Sequence, residues 1–237
     1  MRKFWIAGLL AAVSTSAFAA DLPTTKAPPT PSLIYAPAFT WTGFYVGVNG
    51  GYAWGQQDPF NIITDRFDSI STDLSGGVFG GTFGAQIQSS HVVMGLEADI
   101  DWANIQGSTT AVPTIAGIPF PGRAVNASTN IDWESTVRFR VGYANNNWLF
   151  YGTGGFALLG AKTNLTNVSG GAVCTGILVN CSGTNRQVGL ALGGGLEYGF
   201  TPNLSGKLEY LYITAASLEV SRHSEIRAGL NYRFGGM

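Results

Sequence analysis

The stretch IDWESTVRFRVGY, Ile131 to Tyr143, decides how the rest of the chain is read. Asp132, Glu134, Arg138 and Arg140 sit on alternate positions, and Trp133, Val137, Phe139, Val141 and Tyr143 fill places between them. Side chains of an extended strand point alternately to opposite faces, so this stretch has one apolar face and one ionic face. Only 11% of the 237 residues are charged, against about a quarter in an ordinary soluble domain. Charges threaded so regularly through a greasy segment must meet a different environment from their neighbours.

The same alternation recurs along the chain. Thr42 to Trp54 sets Phe44, Val46, Val48, Tyr52 and Trp54 against Tyr45, Gly47, Asn49 and Gly51. Leu74 to Gln88 sets Phe79, Phe83, Ala85 and Ile87 against Gly80, Thr82, Gly84 and Gln86. In His91 to Trp102, Val92, Met94, Leu96, Ala98, Ile100 and Trp102 alternate with Val93, Gly95, Glu97, Asp99 and Asp101. Trp148 to Lys162 is apolar or glycine on both faces, so its sides are not assigned. Arg186 to Phe200, Leu204 to Thr214 and Arg222 to Phe234 complete the series, with Glu197, Lys207, Glu209, Glu225, Arg227 and Arg233 on their polar faces.

These are eight segments, and the connections alternate in length. Tight turns (QSSH, ANNN, TPN) follow the second, fourth and sixth, whereas Gly55 to Asp73, Ala103 to Asn130 and Thr163 to Asn185 are long. An even strand count with short turns at one rim and long loops at the other predicts an all-β, eight-stranded antiparallel up-and-down transmembrane β-barrel, its termini and short turns on the periplasmic side. All ten prolines avoid the eight segments, as a hydrogen-bonded ladder requires. Trp41 and Trp148 fall at the turn side of their strands and Trp54, Trp102 and Trp133 at the loop side, the positions expected of two aromatic girdles.

The opening MRKFWIAGLLAAVSTSAFAAD pairs Arg2 and Lys3 with an apolar core and a small-residue site, which reads as a signal peptide over residues 1–20. Residues 21–40 form a proline-rich segment without a period, and the barrel is expected over 41–237. Removing the signal leaves eleven bases against fourteen acids, so nothing suggests nucleic acid as a partner. No later segment approaches the ~20 apolar residues of a spanning helix. Cys174 and Cys181 lie in one Gly- and Ser-bounded loop. An exported chain meets an oxidising compartment, so an intraloop disulfide is expected. A metal site there lacks further ligands, and neither a metal nor a cofactor is expected elsewhere.

An arginine facing lipid at mid-bilayer costs about 2 to 4 kcal/mol, so the apolar faces should turn outward. That places Glu97, Asp99, Asp101, Asp132, Glu134, Arg138, Arg140, Glu197, Lys207, Glu209, Glu225, Arg227 and Arg233 in the lumen. Eight strands enclose little more space than their own side chains fill, so a packed ionic plug is expected. Counted from Trp102 and Trp133, Glu97 and Arg138 share a depth and should pair; Arg227 and Glu209 are a second candidate pair. The alternatives are a narrow conducting pore lined by the same groups, or a lipid-modifying enzyme at the outer rim built on Ser221, His223 and Glu225. No nucleophile, base and orienting group can be assembled from spacing alone, so no catalytic residue is assigned. GTGGFA, Gly152 to Ala157, matches a dinucleotide fingerprint in form, but no Asp or Glu occurs between Glu134 and Glu197 to serve as its ribose ligand.

WTGFYVGVNGGYAWG, WESTVRFRVGY, GGGLEYGFTPNLSGKLEYLY and EIRAGLNYRF together resemble the small outer-membrane β-barrel surface antigens of alphaproteobacteria, the porin-family or OmpA-like barrel proteins. The resemblance covers nearly all the chain after the signal. It implies outer-membrane residence in a Gram-negative bacterium, outer-membrane lipid and the barrel-assembly machinery as partners, and a role in envelope integrity and host contact. Some relatives bind haemin, but no residue here can be matched to that property, and any host or small-molecule ligand of the outer loops is unassigned. The family's chains end on the aromatic of the last strand; here Gly235, Gly236 and Met237 follow Phe234.

Overall fold

The computed structural model describes residues 39–58, 72–111, 114–115, 118–119, 124–169, 182–216 and 220–234. The expected signal, most of the proline-rich segment, the Cys174 and Cys181 pair and Gly235 to Met237 lie outside the described residues. Eight strands make a closed barrel: β1 (Gly43–Asp58), β2 (Thr72–Ser89), β3 (Val92–Ala111), β4 (Ala124–Asn145), β5 (Trp148–Ser169), β6 (Ser182–Gly199), β7 (Leu204–Ala216) and β8 (Val220–Phe234). Each pairs antiparallel with its chain neighbour, and β1 closes on β8 with Phe44 opposite Phe234. Closure leaves no unpaired edge, which is the condition for strands to cross hydrocarbon.

Alternation sorts the side chains as the sequence pattern requires. Large apolar residues cover the outside, with Phe79, Ile100 and Trp102 at 60%, 66% and 70% exposure. Only hydrocarbon can face such a belt without penalty. Trp54, Trp102 and Trp133 face outward toward the loop end, and Trp148 does so at the turn end, where it packs on Tyr198 with ring centroids 4.7 Å apart. β5, whose faces the sequence left open, turns Leu149, Tyr151, Ala157 and Leu159 inward and Phe150, Phe156 and Leu158 outward.

The strands at the loop end outrun the expected segments. β3 continues to Ala111, β4 begins at Ala124 and β5 runs to Ser169, so much of the connection expected over Ala103 to Asn130 is paired strand. Beyond the aromatic level successive residues can all be polar, as in Ser128, Thr129 and Asn130. The apolar alternation that marks a strand in sequence then vanishes while the ladder continues. Thr114–Ile115 and Ile118–Pro119 form a separate two-residue ladder between β3 and β4.

One register irregularity overturns a lumen assignment. In β4, Ile131 pairs with Ala161 and Trp133 with Gly160, so Asp132 is one residue too many for β5. Such a bulge shifts the facing parity of the strand. Thr129 and Ile131 point inward on the loop side of it, and Glu134, Thr136, Arg138 and Arg140 on the turn side. Asp132 is therefore not a lumen residue; its carboxylate lies 2.6 Å from Lys162 Nζ, in a pair whose side chains are 31% and 55% exposed.

Candidate functional site in the barrel interior

The interior has three layers. At the turn end, the residues just before β1 fold across the mouth. Trp41 is wholly buried against Val93, Ala144, Leu149 and Tyr151, with Phe39 packed beside it. Its backbone N–H donates to Gln88 Oε1 at 2.8 Å and its indole N–H to the Asn146 carbonyl at 3.3 Å. The Arg233 guanidinium sits 4.5 Å from the Trp41 ring centroid and donates to the Thr40 carbonyl at 2.9 Å. Trp41 was expected on the lipid-facing girdle. It is instead part of a cap over the lumen, because it precedes the first ladder residue, Gly43, and strand alternation does not govern it.

The middle layer is an ion network that crosses the barrel. Glu97 and Arg138 are register partners, and Arg138 Nη2 lies 2.8 Å from Glu97 Oε1 and 2.5 Å from Asp99 Oδ2. Arg138 Nη1 reaches Glu209 on the far wall, and its Nε donates to Thr136 Oγ1 at 3.0 Å. Arg227 and Glu209 are also register partners, 3.7 Å apart, while Arg227 makes its shorter bond to Asp101 Oδ2 at 2.7 Å. Arg140 pairs with Glu197 at 2.5 Å and Glu97 at 3.3 Å. Lys207 reaches Glu97 at 3.1 Å, and Ser205 and Asn231 donate to Glu197. In this layer ions meet counter-ions at close range, the condition for burying them at all.

Two tyrosines that carried no charge signal belong to this layer. Tyr45 OH donates to Glu97 Oε2 at 2.8 Å and accepts from Arg140 Nη1 at 3.0 Å; the Tyr151 ring lies 3.8 Å under the same guanidinium. Alternation put Tyr45 on the polar face of its strand, a usable hint, but Tyr151 sat in the segment without a readable period. Inner-face glycines make room for these groups. A Cβ on Gly84 would come within 2.4 Å of the Tyr45 hydroxyl, and one on Gly51 within 2.9 Å of the Arg227 side chain.

Toward the loops the inward residues turn apolar, with Ala53, Leu74, Ile105 and Ile131 on one side and Leu159, Leu211 and Ile213 on the other. Among them sit Glu134, His223 and Glu225, each at most 1% exposed. His223 Nε2 lies 3.4 Å from Glu134 Oε2 and 3.2 Å from Glu225 Oε1. The ligand atoms of all three lie within 4.8 Å of one another. Glu134 Oε1, both Glu225 oxygens and His223 Nδ1 have no hydrogen-bond partner. Gly55 stands opposite His223, where a Cβ would come 2.6 Å from the histidine Cβ. The rim-enzyme alternative put His223 at the outer rim; it is a lumen residue at the loop end.

Of the thirteen charges assigned to the lumen, all but Asp132 are buried there. Among the described residues that leaves seven carboxylates (Glu97, Asp99, Asp101, Glu134, Glu197, Glu209, Glu225) against five cations (Arg138, Arg140, Lys207, Arg227, Arg233).

The chain's matches to known proteins agree with this architecture. The model of the outer membrane protein β-barrel domain matches residues 6–234. The 31 kDa outer-membrane immunogenic protein of Brucella melitensis is 32% identical over 255 residues, spanning 99% of this chain and 100% of that protein. The 25 kDa outer-membrane immunogenic protein of Brucella canis is 26% identical over 240 residues, spanning 97% of this chain and 96% of that protein. Among solved structures, Neisserial surface protein A aligns at a TM-score of 0.44 and 16% identity, covering 81% of this chain and 98% of that one.

Proposed function

The chain belongs to the family of outer membrane protein β-barrel domains, and from that premise we propose that it is a non-catalytic, non-conducting barrel with a structural and surface-presenting role. It occupies and braces outer-membrane area and carries its long connections on the outside of the cell, with the short turns and termini in the periplasm. The observation that carries the closed-lumen reading is Arg138, which leaves β4 and meets carboxylates of both β3 and β7 in the middle of the tube. A guanidinium bridging opposite walls works against a continuous water path, and the Trp41 cap packed at the turn end works against one as well. Eight-stranded barrels hold about enough interior for side chains alone. The rival porin reading needs an open path past this bridge.

Recording in planar bilayers tests it. The folded protein should give no steady unit conductance; discrete openings would overturn the closed reading in favour of a narrow pore. Surface presentation draws support from the Brucella relatives, which are named outer-membrane immunogenic proteins. Antibody raised against residues 170–181 should label intact cells, and labelling only after the outer membrane is broken would reverse the orientation. Lipid and the assembly machinery are the partners this reading requires. His223 and Glu225 face inward and are at most 1% exposed, which weighs against the rim-enzyme reading.

A further inference from the structure

We propose that Glu134, His223 and Glu225 form a binding site for one divalent transition-metal cation of the zinc type at the loop end of the lumen. Three independent observations converge on it. The first is geometry. Two ligand atoms each about 2.0 to 2.2 Å from a tetrahedral ion stand about 3.4 Å apart. His223 Nε2 lies 3.4 Å from Glu134 Oε2 and 3.2 Å from Glu225 Oε1, so one ion can touch all three residues with small adjustments.

The second is the state of the ligand atoms. Glu225 is fully buried, its Oε1 lies 3.2 Å from the imidazole nitrogen, and neither of its oxygens accepts a hydrogen bond. The hydrogen bond that His223 Nε2 makes goes to Glu134. A single N–H cannot serve two carboxylates, and buried acceptors left without donors are rare enough to need an explanation. The neighbours offer none, because the register partners of Glu225 are Ala53 and Leu211, and those of His223 are Gly55 and Ile213. The charged neighbour of Glu225, Arg227, has an Nε that is itself without a partner but stands 3.9 Å away, beyond hydrogen-bond range, and its terminal nitrogens go to Asp101, Asp99 and Glu209.

The third is charge. The described interior holds seven carboxylates and five permanent cations, and the two carboxylates farthest from compensation are Glu134 and Glu225. One divalent ion on a neutral imidazole closes that gap; a proton on His223 closes half of it. One nitrogen with carboxylate oxygens is a ligand set that suits zinc and its neighbours, whereas calcium and magnesium favour all-oxygen shells with more ligands.

The test uses the full-length mature protein folded in detergent, stripped with chelator and then equilibrated with zinc ion alone, or with magnesium ion alone, before gel filtration and metal analysis. Wild type should retain one zinc per chain and no magnesium. Glu225→Gln and His223→Gln should each lose at least tenfold in zinc affinity while still showing the heat-shifted gel band of a folded barrel, and Glu134→Gln replaces either that fails to fold. Cobalt bound to wild type should give the intense visible absorption of a tetrahedral site. No retained zinc, equal retention of magnesium, or zinc retained undiminished in the folded variants would each overturn the assignment.

Discussion

The middle of the lumen and its loop end are both buried and both ionic, yet they solve the same problem differently. Around Arg138, carboxylates from opposite walls converge on shared guanidinium and ammonium groups, and Glu97 alone meets Arg138, Arg140 and Lys207. Around His223, two carboxylates share one imidazole edge, and Arg227 keeps its Nε 3.9 Å from Glu225. Burial of an ion is tolerated only where opposite charge and hydrogen bonds replace water. The middle layer therefore supplies its own complement from within the chain, and the loop-end cluster draws its complement from outside. Removing a charge should consequently have opposite consequences in the two places.

The largest effect should come from the hub. Arg138→Met removes the cation that faces Glu97, Asp99 and Glu209 and leaves three buried carboxylates undercompensated. Breaking even one buried pair costs about 3 to 5 kcal/mol, so the variant should lose at least that much in urea unfolding followed by tryptophan fluorescence in lipid vesicles. A loss under about 1 kcal/mol would mean the middle layer is wet.

The sharpest comparison uses one chemical change at two sites. Glu209→Gln takes a carboxylate from Arg138, and from Lys207 and Arg227, which stand 3.8 and 3.7 Å away. It should cost about 3 kcal/mol. Glu225→Gln, with metal removed, takes a charge from a site that has too many and should leave stability within about 1 kcal/mol of wild type or raise it. Equal losses at the two positions would show that the loop-end cluster is compensated by groups of its own.

How much of this was legible beforehand follows from what alternation can encode. Period-two patterning placed Glu97 beside Arg138 and turned twelve of the thirteen charges inward, because a strand buried on one face has its register dictated by which residues can meet lipid. Alternation has no voice outside a ladder, so Trp41, placed on the girdle because it stands at the turn-side start of the first segment, falls on the wrong side of the wall. It also says nothing about uncharged polar partners: Tyr151 lay in a segment where both faces were apolar. Period two puts His223 on the same face as Glu225, a placement the lumen list did not draw, and its meeting with Glu134, 89 residues away, depends on the stagger between strands, which no local pattern reports.

A smaller effect tests the packing that lets the middle layer form. Gly84→Ala drives a methyl group to within 2.3 Å of the Tyr45 ring. The ring must tilt away from Glu97 and Arg140, and overpacking of this kind costs about 1 to 3 kcal/mol. Urea unfolding should show that loss in Gly84→Ala and no further loss when Tyr45→Phe is added, because the second change removes a hydroxyl already displaced. Additive losses would mean the ring does not move.

The smallest effect belongs to the charge that alternation misplaced. Asp132 and Lys162 are 2.6 Å apart, as close as the contacts of Arg138, so distance alone would rank them with the hub. Their side chains are 31% and 55% exposed, however, and water at the loop end screens the pair and solvates either partner left behind. Exposed pairs contribute about 0 to 1 kcal/mol. Asp132→Ala should therefore unfold within about 0.5 kcal/mol of wild type, with no change in the heat-shifted gel band. The bulge itself should survive, since the ladder on either side holds Ile131 against Ala161 and Trp133 against Gly160 through backbone bonds. A loss comparable to that of Glu209→Gln would put Asp132 back in the interior and restore an unbroken alternation from Ile131 to Tyr143.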